Sequence, residues 1–272
     1  MLYTSDQVAD LLTRPLRHLL VDERDHVLTL TLNRPEKKNA LNPTLLNELA
    51  FALAYAHHTP TVWVVVLAAA GDTFCAGMDL KALQAGDTGD DTVPLPAGPV
   101  RLGELMAGLH KPSIVRVQGS VYAGGFLLVG GATYAVAAES AVFALPEVKR
   151  GLFPFQVLAI LLDLMPARKA LDLCLRGQSL SAAEALAAGL VTHTAPAAEI
   201  DQTVAALVAE LTAVSPTALR FGLRAYEQLK NLPQSQQQAF LHDQFGQIQQ
   251  TDDAREGMAA FLEKRAPNWR NQ

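Results

Sequence analysis

The sequence predicts an α/β fold, a mainly parallel strand-and-helix layer followed by a region of helices alone. Three observations carry this. Strand patterns alternate with helical ones through the first part of the chain, the order expected of a parallel layer. Residues 61–68 (TVWVVVLA) form a continuous β-branched run, the mark of a strand covered on both faces. From about residue 155 onward the apolar spacing is helical throughout.

Taken in order, residues 1–20 read as a short helical extension carrying Asp6 and Asp10. They lack the basic start and apolar centre of a secretory signal; Arg14, Arg17 and His18 support organelle targeting only as a lesser alternative. Residues 27–32 (VLTLTL) alternate apolar side chains with Thr, as a half-buried strand does. A polar loop at 33–42 ends in Asn42-Pro43, a helix start that leads into a helix over 44–57. His57-His58 at its end suit the negative pole of the helix dipole. After the strand at 61–68, the Gly-, Asp- and Pro-rich segment 84–99 reads as a mobile loop. A helix at 100–109, strands at 113–117 and 133–138, and a glycine-rich turn between them follow. Helices are expected at 155–164, 167–176, 182–188, 199–213, 217–229, 235–249 and 252–264.

Composition narrows the function classes. Half of the 272 residues are hydrophobic, enough for one large core, and 18% are charged with a formal net charge of −5. An acidic balance without a Lys/Arg-rich helix argues against a nucleic-acid partner. No apolar run reaches the roughly 18 residues of a membrane span. The two cysteines, Cys75 and Cys174, offer neither a disulfide framework nor metal-ligand spacing. Reduced thiols and a cytoplasmic location are the expectation, with no metal.

Two segments carry the candidate chemistry. AGDTFCAGMDL at 70–80 and GSVYAGGFL at 119–127 each follow a buried strand, contain glycine and precede a helix. A helix start presents unpaired N–H groups, and glycine admits a ligand close to the backbone. Two such starts facing one another would hold a developing oxyanion. Gly124-Gly125 and Gly130-Gly131 do not form a dinucleotide fingerprint, because the G-x-G-x-x-G spacing is missing.

Six ordered segments then resemble one family. They are NRPEKKNAL at 33–41, FCAGMDL at 74–80, HKPSIVRVQGSVYAGG at 110–125, FALPEVKRGLFP at 143–154, GQSLSAAEALAAGLV at 177–191 and EGMAAFLEKRAPNW at 256–269. In order and spacing they are similar to the crotonase (enoyl-CoA hydratase/isomerase) superfamily over about residues 21–270. The resemblance implies a crotonase-like ββα superhelix core at 21–200, after the extension at 1–20, and a C-terminal helical trimerisation region at 201–272. It implies an acyl-CoA substrate, no separate cofactor, and a homotrimer or dimer of trimers.

Residue by residue, the resemblance implies oxyanion donors at the N–H groups of Met78 and Gly124. It implies coenzyme A contacts at Lys38, Ala40, Ala76, Asp79, Leu80 and Lys81. Tyr122 would line the pocket, although a core tyrosine is an equal reading. Cys75 receives no role, and His110 a structural one. Phe261 and Lys264 would reach towards a neighbouring subunit's site. Hydratases of the family bracket a water between two carboxyl groups. The position for one of them is Leu127 here, or Leu128 if the count slips by one residue, and neither transfers a proton; the other is Glu147. Flanked by apolar residues at a strand end, Glu147 is expected to be partly desolvated, which suits it to proton exchange.

One base with one oxyanion hole suffices for a Δ3 to Δ2 double-bond shift, and that is the favoured reaction. Hydration of a 2-enoyl thioester by Glu147 and a water is the alternative. A non-catalytic acyl-CoA-binding protein is the alternative of another class.

Overall fold

A computed structural model describes residues 1–86 and 92–272. Ten strands are assigned among them: β1 (Leu19–Arg24), β2 (Val27–Leu32), β3 (Val64–Ala69), β4 (Thr73–Cys75), β5 (Ser113–Val117), β6 (Ser120–Tyr122), β7 (Tyr134–Ala138), β8 (Val142–Ala144), β9 (Ser179–Ser181) and β10 (His193–Ala195). The larger sheet has the order β1-β2-β3-β5-β7-β10. It is parallel from β2 onward, with β1 antiparallel at its edge. The alternation in β2 buries Leu28, Leu30 and Leu32 completely and leaves Val27, Thr29 and Thr31 half-buried.

The helices are α1 (Ser5–Val8), α2 (Pro43–His58), α3 (Leu80–Gln84), α4 (Leu102–Ala107), α5 (Phe126–Gly131), α6 (Phe155–Leu164), α7 (Ala167–Arg176), α8 (Ala182–Ala188), α9 (Ile200–Thr212), α10 (Pro216–Leu229), α11 (Gln234–Ile248) and α12 (Asp252–Glu263). Both faces of the large sheet are covered, which explains the unbroken apolar run in β3. Val65 and Leu67 enter the main core, together with the apolar face of α2. Val64 and Val66 face the other way, into a smaller cluster with Ile200 and Val204 of α9. Asn42 caps α2 by accepting from the Leu45 N–H at 3.0 Å, and Pro43 takes the first helical position.

The second sheet, in the order β4-β6-β8-β9, positions the site. Its strands have three residues each. β4, β6 and β8 are mutually parallel. Each follows a long strand of the first sheet, so β3-β4-α3 and β5-β6-α5 are successive turns of one ββα superhelix, and β7-β8 continues it through a short 3-10 turn into α6. The C-terminal ends of β4, β6 and β8 therefore leave one common edge. Neighbouring strands lie about 4.8 Å apart, so the three exits fall within about 10 Å of one another.

Several boundaries differ from expectation. The 61–68 strand begins only at Val64, because the Trp63 N–H donates to the His26 carbonyl in the β1–β2 hairpin turn and the Trp63 ring stacks on His26 at 3.8 Å. The expected loops at 70–79 and 119–127 contain β4 and β6, strands too short to show a period. The 100–109 helix covers only Leu102–Ala107. The helices after residue 155 lie within two residues of expectation. Of the loop expected at 84–99, residues 87–91 lie outside the described residues. His57 and His58 are engaged by the carbonyls of Leu109 and Tyr3. Burial pushes His57 below the usual histidine range, partly offset by its hydrogen bond to the Leu109 carbonyl. Both cysteines are free and buried.

Among the described residues no single helix is long and apolar enough to cross a membrane, and no group of three or more His, Cys, Asp and Glu could hold a metal ion. Gly119, between β5 and β6, packs against the main chain of Asp72 and Thr73. A Cβ there would lie 2.7 Å from the Asp72 carbonyl carbon, a main-chain atom that cannot swing aside. Gly119→Ala should therefore lower stability by ~2–3 kcal/mol, the scale of overpacking. Chemical denaturation measures this, and an unchanged midpoint would contradict the packing described.

Candidate active site

The segment leaving β4, Ala76-Gly77-Met78-Asp79, is laid against residues 38–41 by three main-chain hydrogen bonds. Ala76 N–H donates to Lys38 O at 2.9 Å, Leu41 N–H to Gly77 O at 2.8 Å, and Asp79 N–H to Leu41 O at 2.9 Å. The last two form a parallel bridge between Leu41 and Met78. In such a bridge the flanking groups of Gly77 and Asp79 make the bonds, so the N–H of Met78 points away from Leu41.

The 38–41 segment is itself held in an unusual shape. Lys38 and Asn39 both have positive φ, 50° and 52°, a region that costs energy for residues with a side chain. The fully buried Asn39 amide offsets that cost. Its oxygen accepts from the Arg34 N–H at 2.9 Å, and its nitrogen donates to Ala70 O and Thr73 O, both at 2.8 Å. Arg34, also buried, donates to Ala40 O and pairs with Asp79 at 3.2 Å. Burial opposes the charge on Asp79, but the Ala82 N–H and Arg34 outweigh it and hold the carboxyl below the usual range. The Asp79 side chain is thus occupied in capping α3 and gripping Arg34. Neither Arg34 nor Asn39 was singled out from sequence. An Asn in a polar loop, a residue tolerant of left-handed backbone, was the available signal.

The segment leaving β6, Ala123-Gly124-Gly125, runs into α5. It touches the first segment. A Cβ added to Gly77 (φ 86°) would lie 2.6 Å from the Ala123 Cβ and 3.3 Å from the Gly124 nitrogen, and one on Gly124 would meet Met78 Cγ at 3.8 Å. Gly124 lies in the first turn, where main-chain N–H groups lack intrahelical partners. The N–H of Gly77 is engaged, donating to Cys75 Sγ at 3.4 Å. Burial pushes the Cys75 thiol up to about 12, so it stays neutral beneath the loop.

Glu147 arrives from the third strand of this set. β8 pairs with β6 in the register Val121↔Phe143 and Tyr122↔Ala144, so Leu145-Pro146-Glu147 leaves the edge beside Ala123-Gly124. Glu147 sits in the 3-10 turn Pro146–Arg150 and is half-buried. Its Oε2 is fully buried and, among the described residues, has no hydrogen-bond partner. Burial raises its pKa, opposed by its own main-chain N–H and by Arg150. Such an oxygen is costly to leave unpaired, and a carboxyl whose proton affinity is raised by burial is suited to proton exchange.

The other expected site residues fall around this edge. Ala40, Ala76, Met78 and Tyr122 are half-buried, whereas Lys38, Leu80 and Lys81 are exposed on its flank. Leu127, 8% exposed, occupies the first turn of α5 as part of the main core. His110, expected to be structural, has its Nε2 3.1 Å from Glu227 Oε2 of α10. Phe261 and Lys264 are exposed at the end of α12.

Comparison with known proteins agrees with this architecture. A family model described as enoyl-CoA hydratase/isomerase matches residues 22–272. Enoyl-CoA hydratase EchA19 of Mycobacterium tuberculosis is 37% identical over 258 residues, covering 93% of this chain and 96% of that protein. Mevalonyl-coenzyme A hydratase sidH of Aspergillus fumigatus is 34% identical, over 90% of this chain and 92% of its own. The crystal structure of an enoyl-CoA hydratase from Mycobacterium tuberculosis aligns with a TM-score of 0.83 at 32% identity, over 94% of this chain and 99% of that one. The ββα superhelix, the match along nearly the whole chain and these relatives lead to one assignment: the chain belongs to the enoyl-CoA hydratase/isomerase family of the crotonase superfamily.

Proposed function

We propose that this enzyme shifts the double bond of a 3-enoyl-CoA thioester to the 2-position, using Glu147 as its single acid/base. The unpartnered, buried Oε2 of Glu147 carries this reading, together with an apolar Leu127 where a second carboxylate would be needed to activate water. Glu147 removes a proton from C2, and the electron pair moves onto the thioester oxygen. The N–H groups of Met78 and Gly124 hold that oxygen as an enolate. As the enolate collapses, the double bond forms between C2 and C3 and C4 takes the proton back from Glu147. The coenzyme A moiety, the only cofactor-like group required, runs along 38–40 and 76–81, with the exposed Lys38 and Lys81 facing its phosphates. A homotrimer or dimer of trimers suits the apolar side chains left exposed on the helical region, among them Phe245 (60%), Phe261 (84%) and Leu262 (79%).

Hydration of a 2-enoyl-CoA is the second reading, and the hydratase names of the relatives favour it. Incubation with 2-enoyl- and 3-enoyl-CoA in deuterated water separates the two. Double-bond migration with label exchange is the expected result; a hydroxyacyl product would replace the isomerase reading with the hydratase one. Inertness toward both substrates, with binding retained, would leave a non-catalytic binder.

Glu147→Gln should lower kcat by about 10²–10⁴-fold, the range of general acid–base catalysis, with acyl-CoA affinity nearly unchanged by calorimetry. In the wild type kcat/KM should rise with pH through a value above the ordinary glutamate 4.5, since the base must be ionised. The linkage to stability has the opposite sign. A carboxyl that holds its proton more tightly when folded loses stability as pH rises from 4.5 through its raised folded value. Glu147→Gln removes that loss, so its Tm relative to wild type should be higher at pH 7 than at pH 4; thermal melts at the two pH values test this. Leu127→Glu should raise the ratio of hydrated to isomerised product, read from the same product assay.

A further inference from the structure

The turn that carries Glu147 rests on the end of α7. Ala144, the last residue of β8, is paired with Tyr122 of β6 on one flank and with Ser179 of β9 on the other. Beyond it Leu145 leaves both ladders, and the chain turns through Pro146–Arg150, with the Leu152 N–H donating to Glu147 O at 3.1 Å. On the β9 flank this stretch meets Gly177, which caps α7 two residues before β9 begins.

Gly177 is buried and holds φ at 57°, a left-handed cap in which its N–H donates back to Leu173 O at 3.2 Å. A Cβ built on it would lie 3.0 Å from Leu145 O, 3.2 Å from Val148 Cγ2 and 3.3 Å from Lys149 Cε. These three nearest atoms all belong to the stretch that contains Glu147. The end of the lysine can swing away, but Leu145 O is main chain, two residues before Glu147, and moves only with the turn. Cys174, one turn earlier on α7 and fully buried, has the same neighbour. Burial pushes its thiol up to about 11, and the charge of Glu147 adds to the rise.

We infer that Gly177 is a positioning residue for Glu147. Lacking a side chain, it lets the end of α7 seat directly against the 146–150 turn, and so fixes where the Glu147 carboxyl stands at the common edge of β4, β6 and β8. This rests on the acid/base reading of Glu147 above.

Gly177→Ala tests the inference against Gly189→Ala. Gly189 ends α8 at φ 83°, and a Cβ there would lie 2.8 Å from Leu164 O at the end of α6. It shares the left-handed strain and the main-chain contact but supports a different segment. Both variants should lower Tm by roughly 3–10 °C, the effect of one strained residue in a chain of this size. Only Gly177→Ala should lower kcat, by about tenfold to a hundredfold, the cost of moving a reacting group by up to an ångström. The substrate is whichever enoyl-CoA the wild type converts, so the readout does not depend on which reaction is catalysed. The dissociation constant for butanoyl-CoA should stay within about twofold of the wild-type value, as for a change felt only in the chemical step. The pH midpoint of kcat/KM should move down toward the ordinary glutamate 4.5, because a shifted turn admits water to a carboxyl whose proton affinity is raised by burial.

Val148→Ala opens the same seat from the other side without a left-handed cost and should lower kcat by about threefold or more. It decides the matter where Gly177→Ala does not fold. A kcat for Gly177→Ala within about twofold of wild type overturns the inference, as does an equal loss of kcat in Gly189→Ala. A Glu147→Gln enzyme that turns over as fast as wild type overturns the acid/base reading and this inference together.

Discussion

Parallel pairing of β4, β6 and β8 sets everything else at the site. Each strand has only three residues, so little stability comes from the ladder itself, but its direction is decisive. With all three strands pointing the same way, Met78, Gly124 and Glu147 emerge at one edge, a strand's width apart. Were any one antiparallel, its residue would leave at the opposite end of the sheet. The long strands β3, β5 and β7 of the first sheet enforce this order by delivering the chain to each short strand in turn. The large hydrophobic core serves the site by fixing a direction.

Around that edge the molecule holds two costly features. One is the pair of left-handed residues Lys38 and Asn39, sustained by three hydrogen bonds from a buried amide and by the Arg34–Asp79 pair. The other is the carboxyl of Glu147, with one oxygen buried and unpartnered. The first cost is offset locally, and the shape it produces presents the Met78 N–H away from Leu41. The second is not offset among the described residues. An uncompensated polar group is what a stability optimum would remove and what a reacting group requires.

Much of the fold was legible because its signals were long. VLTLTL and the β-branched run before Ala70 announced β2 and β3, and apolar periodicity placed the later helices within two residues. Elements of three residues have no period to read, so β4 and β6 passed as loops. β1 was unread because Asp22, Glu23 and Arg24 make it look like surface chain; it is an edge strand, where charge is tolerated. At the site, the desolvated setting of Glu147 could be expected from its apolar neighbours. The engagement of the Asp79 side chain by Arg34, distant in sequence, could not. That pairing depends on a bridge between segments almost forty residues apart, which only the tertiary structure brings together.

The contact of Gly77 with Ala123 has an evolutionary corollary. The Ala123 methyl occupies the space that a side chain at 77 would fill, so it acts as a spacer setting the gap between the two loops. Mutational drift at these positions is then coupled. A bulkier residue at 123 would wedge the loops apart, and one at 77 demands both a smaller neighbour and a backbone angle that side chains resist. Any lineage that alters the spacing must change the pair in concert.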